Sequence, residues 1–132
     1  MIYLETSVAL AHLLTEDRSP PGSLWEEALV ASRLLEYEIW NRVNARGRSE
    51  TLGEAVRQLM GRVAMIELGP SILVRALDPF PKPVRTLDAL HLASMDFLRR
   101  QGQEVVLASY DRRLTTAARQ LDFSIYDLGE VQ

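Results

Sequence analysis

Five short apolar runs limit what this chain can become. They fall at residues 2–4, 29–31, 63–68, 105–108 and 123–126, and longer stretches with helical spacing of apolar residues separate them. The first, second and fourth runs carry no charged or small polar residue and leave no face for water, so both faces of the sheet they form must be covered. Strands alternating with helices meet that demand by lying parallel, because each return to the sheet crosses over it as a helix. The pattern therefore predicts an α/β fold of three layers, α/β/α, with a mostly parallel central sheet flanked by helices. A length of 132 residues suits one domain spanning 1–132 with a substantial core.

Local signals fill in the rest. Thr6 and Ser7 read as an N-cap for a helix beginning near Val8, and residues 24–29 as a short helix with Trp25 on its apolar side. Ser32 reads as the cap of a helix to about Arg46, closed by Gly47. Helices are expected over 49–61 and 70–78, then a rigid connector, Pro79-Phe80-Pro81-Lys82-Pro83. The stretch from Val84, with Thr86 as cap, is a helix apolar nearly all round, ending at Arg99-Arg100-Gln101-Gly102; a last helix covers 114–121. Tyr3, within the first run, is expected to lie in a buried strand with no room for a polar partner.

Composition removes several function classes. With no cysteine there is no disulfide framework and no thiolate metal site, and no apolar run reaches membrane-spanning length, so the expected location is the cytoplasm with no membrane partner. A net charge of −3 argues against a protein that coats nucleic acid by charge alone. The basic residues are arginines apart from Lys82, and Arg is the better bidentate phosphate binder.

Four acids stand out by position. Glu5 ends the first strand and Asp111 follows the fourth, so both fall at carboxyl ends of strands, where ligands bind in open α/β sheets. On a helical wheel Glu38 and Arg42 fall inside the apolar arc of Leu34, Leu35, Ile39 and Val43, with Glu36 at its edge; an i,i+4 ion pair does not account for an inward acid. Asp88 sits in the first turn of its helix. Read alone, Glu5 and Asp88 fit equally as acids answering a helix dipole. His91, one turn beyond Asp88, reads as a core histidine with one hydrogen bond.

Four segments together resemble the PIN-domain ribonucleases, and within them the VapC-like toxins of type II toxin-antitoxin systems: Ile2-Tyr3-Leu4-Glu5-Thr6-Ser7, the stretch from Ser32 to Glu38, Leu87-Asp88-Ala89-Leu90-His91-Leu92-Ala93, and Ser109-Tyr110-Asp111-Arg112-Arg113-Leu114. The resemblance spans essentially the whole chain. It implies a metal-dependent endoribonuclease that hydrolyses RNA phosphodiester bonds with an activated water, leaving a 5′-phosphate and a 3′-hydroxyl. The family's four catalytic acids would fall on Glu5, Glu38, Asp88 and Asp111. Glu5, Asp88 and Asp111 are assigned to the metal, and Glu38 to ligation or to orienting the water. Thr6 or Ser7, and Ser109, would be the supporting hydroxyls; Arg85, Arg112 and Arg113 are candidate RNA phosphate contacts.

Elementary electrostatics also asks for a cation. Two carboxylates about 4 Å apart repel by about 4 kcal/mol at an effective dielectric of 20. An all-oxygen donor set points to Mg²⁺ or Mn²⁺ rather than zinc. Glu5 departs from the family's Asp by one methylene, which leaves open a weakened or inactive PIN module that binds RNA or a protein. A phosphoacceptor receiver-like domain fits poorly, because the lone lysine, Lys82, lies in the proline-rich loop. The resemblance further implies a small antitoxin partner and a homodimer, with Trp25, Tyr37 and Trp40 as candidate groove or dimer residues.

Overall fold

A computed structural model describes residues 1–15 and 17–129. Its elements run β1 (Ile2–Leu4), α1 (Thr6–Leu13), a 3₁₀ turn (Gly22–Glu26), β2 (Leu29–Ser32), α2 (Leu34–Ala45), α3 (Ser49–Met60), β3 (Val63–Ile66), α4 (Pro70–Leu77), α5 (Thr86–Arg100), β4 (Val106–Ala108), α6 (Arg112–Gln120) and β5 (Ser124–Ile125). The five strands form one sheet in the order β3-β2-β1-β4-β5, and every neighbouring pair is parallel.

The pleat divides the core in two. Ile2 and Leu4 point to one face with Val8, Leu35, Ile39 and Val56 from α1, α2 and α3. Tyr3 points to the other with Leu107 of β4 and with Leu92, Met95 and Leu114 from α5 and α6. β1 is buried throughout. Burying a side chain the size of its leucine contributes about 1.5–3 kcal/mol, so this central strand ties both layers together.

The strand order fixes where a site can form. From β1 the chain steps outward through β2 to β3, then returns to the far side of β1 for β4 and β5. The switch point lies between β1 and β4, and parallel α/β sheets open a crevice there beyond the carboxyl ends. Leu4 pairs with Ala108, so Glu5 and Ser109 leave the sheet side by side, and the Glu5 amide donates to the Ala108 carbonyl at 3.1 Å.

The helix starts differ from the sequence expectation in one consistent way. Glu5, not Thr6 or Ser7, occupies the N-cap of α1; Arg33, not Ser32, precedes α2; Arg85, not Thr86, precedes α5; none of the three caps its helix with a side-chain hydrogen bond. The hydroxyls of Thr6 and Ser7 are drawn to acids instead, and Ser32 ends its strand with a buried hydroxyl that lacks a partner among the described residues. The short helix expected over 24–29 is the 3₁₀ turn, and Trp25 packs against the ring of His12 at 4.6 Å. Gly47 closes α2 as expected, with φ +65°.

Candidate active site

All four sequence-predicted acids line one cleft. Its volume is about 420 Å³, and its walls include Glu5, Glu38, Asp88 and Asp111 together with Thr6, Ser7, Arg42, Arg85 and His91. β1 supplies Glu5 and β4 leads to Asp111, while α2 and α5 bring Glu38 and Asp88 over the same crevice.

Glu5 is 7% exposed, and its Oε1 accepts from Ser7 Oγ and Ser109 Oγ, both at 2.5 Å. Each serine in turn accepts a backbone amide from the turn after β4: Tyr110 N donates to Ser7 Oγ and Asp111 N to Ser109 Oγ, both at 2.9 Å. The turn that delivers Asp111 is thus fastened to the carboxylate of Glu5. Charge-assisted bonds of this kind are about twice as strong as neutral ones.

Glu38 is held from two other directions. Thr6 Oγ1 donates to its Oε1 at 2.8 Å, and His91 Nε2 lies 2.9 Å from the same oxygen. Tyr3 Oη lies 2.8 Å from His91 Nδ1, with the two rings edge to face. Tyr3 therefore does have a polar partner, contrary to expectation, and His91 makes two hydrogen bonds rather than one. The clue available in the sequence was the phenol itself, since a buried tyrosine hydroxyl almost always finds a partner. Burial opposes protonation of the imidazole, but Tyr3 and the Glu38 carboxylate outweigh it, and the His91 pKa is pushed up to about 10. Glu38 accordingly pairs with His91 across the core and not with Arg42 along its own helix.

Asp88 is half-buried. Burial raises its pKa, Asp111 and Glu5 raise it further, and His91 and Arg85 pull it back. Asp111 is the N-cap of α6, and its Oδ1 accepts from the amides of Arg113 at 2.9 Å and Leu114 at 3.3 Å. Its charge thus serves the helix dipole while its carboxylate faces the cleft.

Among the described residues, no three His, Asp or Glu side chains converge tightly enough to ligate one ion directly. The donors are nonetheless all oxygens, and repulsion from two neighbouring carboxylates at Asp88 marks a surplus of negative charge. Mg²⁺ takes one or two carboxylates directly and keeps several waters, so this looser acidic set fits such an ion.

The other predicted residues divide. Arg85 lines the cleft, whereas Arg112 and Arg113 line an adjoining pocket. Tyr37 is 74% exposed and shares a hollow of about 350 Å³ with Trp40, away from the acids; Trp25 and Trp40 also pack against the core. Among the described residues, no helix is long and apolar enough to cross a membrane.

Comparison with known proteins agrees with this architecture. A PIN domain model matches residues 2–120. Ribonuclease VapC35 of Mycobacterium tuberculosis is 30% identical over the full length of both chains. Ribonuclease VapC47 of the same organism is 28% identical, again over both full lengths. The solved structure of VapBC-1 from nontypeable Haemophilus influenzae superposes with a TM-score of 0.69 at 17% identity, covering 98% of this chain and all of that one, which places the fold. Nearly the whole chain matches the family model and its full length matches the curated ribonucleases, so the protein belongs to the PIN-domain family, as a VapC-like member.

Proposed function

We propose that this protein is a metal-dependent endoribonuclease and the toxin of a toxin-antitoxin pair. The observation that carries the reading is the meeting of Glu5, Glu38, Asp88 and Asp111 in one cleft at the sheet's switch point. Full-length similarity to proteins named ribonucleases supports it.

In this reading Asp88, Asp111 and Glu5 hold Mg²⁺ or Mn²⁺. When bound, such an ion lowers the pKa of water and offsets charge building up on the phosphodiester. Glu5 contributes through Oε2, since Ser7 and Ser109 engage Oε1. Glu38, with Oε1 held by Thr6 and His91, has Oε2 left to orient the attacking water and accept its proton. Arg85 on the cleft wall meets the scissile phosphate, and Arg112 and Arg113 meet its neighbours. An antitoxin would silence the cleft by placing a basic side chain among the acids. The protein works in the cytoplasm as one domain over 1–132, and as a homodimer.

A second reading rests on Glu5. Its extra methylene relative to Asp displaces the carboxylate by about an ångström, and such a shift can lower a rate on the order of a hundredfold. The chain would then be a weakened or inactive module that binds RNA or a protein. Incubating a mixed RNA pool with the protein in Mg²⁺, Mn²⁺ or EDTA separates the two. Cleavage only with metal, leaving 5′-phosphate ends, is expected; equal products in EDTA would overturn the metal assignment, and none in any condition would favour the inactive module.

A further inference from the structure

The proline-rich connector between α4 and α5 has no part in the acidic cleft, yet it is held firmly. Phe80 and Val84 pack against the core face of α5 and α6. The Arg75 guanidinium covers the Phe80 ring at 4.4 Å and is itself fixed by Asp96 at 3.0 Å, a pair with only 14% and 10% side-chain exposure. This anchoring leaves Lys82, the lone lysine of the chain, exposed at the edge of a second pocket.

That pocket lies between the connector and α6, holds about 460 Å³, and opens onto the acidic cleft through shared walls at Arg85 and Asp88. Lys82, Arg85, Arg112 and Arg113 face it, against the single acid Asp88. Pro83, Val84 and Ala117 provide apolar surface within it. In a chain of net charge −3, this concentrates positive charge beside the acids. A cationic rim around an apolar wall suits a phosphate joined to a flat ring, and the volume admits one nucleotide but not a duplex.

Resting on the ribonuclease reading above, we propose that this pocket is a subsite for one unpaired nucleotide next to the cleaved bond. Lys82 and the arginines hold its phosphates, and Pro83, Val84 and Ala117 receive the face of its base. Lys82 positions substrate without touching the reacting atoms.

Two exposed rim residues outside the acidic cleft test this, Lys82→Glu and Gln120→Glu. Each should raise KM for a single-stranded 12-mer about tenfold with kcat changed less than about threefold, the loss expected from placing a new negative charge on the rim beside bound phosphates. Mn²⁺-dependent hydrolysis of bis(p-nitrophenyl) phosphate, which has no flanking nucleotide, should be unchanged. Binding of the labelled 12-mer in EDTA, read by fluorescence anisotropy, should weaken by the same factor, and a blunt duplex should compete poorly. Cleavage by the parent protein with KM unmoved in both variants, or equal competition by the duplex, overturns the subsite. Inertness of the parent toward RNA and the model diester alike overturns the ribonuclease reading; the anisotropy result then still decides the subsite, because it needs no catalysis.

Discussion

Glu5 and Glu38 are built into the molecule in a way that Asp88 is not. Each glutamate presents one oxygen to two side-chain donors, reached across 104 residues in one case and 53 in another. Among the described residues Asp88 has no such donors, and its surroundings disfavour its charge. Asp111 falls between, held by two amides of its own helix. Rigid donors fix two carboxylates before anything binds, whereas burial and then the neighbouring carboxylates of Asp111 and Glu5 raise the pKa of Asp88. A group kept at a cost to the fold is a candidate for work done on a ligand.

The sharpest way to break this contrast is at Asp88. Asp88→Ala should reduce Mn²⁺-dependent RNA cleavage to background, while Asp88→Asn, free of the repulsion from Asp111 and Glu5, should unfold at a higher temperature without metal. Cleavage at the parental rate would end the assignment. Asp111→Asn should likewise stop cleavage yet keep the helix cap, so its melting temperature should stay near the parent's.

Loosening a supporting contact should cost less. Ser109→Ala removes one donor to Glu5 and the acceptor for the Asp111 amide, and outer contacts of this type are typically worth about 10- to 100-fold in metal affinity or activity. Calorimetric Mn²⁺ titration beside the cleavage assay would check this.

His91→Gln should act on stability first, by about 1–3 kcal/mol for the buried partners it strands, read by urea unfolding. The sign of the pH effect follows from the raised pKa. The folded imidazole holds its proton up to about 10 while the unfolded one loses it near 6.5, so the proton-linked stability is full below about 6.5 and is lost as pH rises toward 10. His91→Gln should lose the part of that decline which the parent owes to this ring; an identical slope in the two proteins would remove His91 as its source. The smallest change is Glu5→Asp, expected to retain or raise cleavage, and a loss to background would show the pocket to be fitted to the longer side chain.

Much of the fold was legible because burial leaves a periodic trace. The five apolar runs became five parallel strands, and Glu38 was marked as inward by its place among Leu35, Ile39 and Val43. Hydroxyls were harder to read. Thr6, Ser7, Ser32 and Thr86 all sit where a cap belongs, and nothing local reveals that Thr6 is claimed by an acid 32 residues away. The tie between Tyr3 and His91 spans 88 residues and was hidden for the same reason. At Thr6 a tertiary carboxylate outcompeted the local cap, whereas Asp111 kept its local cap on α6.

β1 precedes the other four strands in sequence and is the central strand of the finished sheet, but its neighbour β4 follows all of them except β5. Ser109, which holds Glu5, and Asp111, which faces it, follow β4 directly. A nascent chain that stops short of them lacks β5, the Ser109 bond to Glu5 and the Asp111 wall of the cleft. The order of synthesis therefore delays the completed acidic cleft until β4 and the turn after it have been made, and a product terminated before them would lack it.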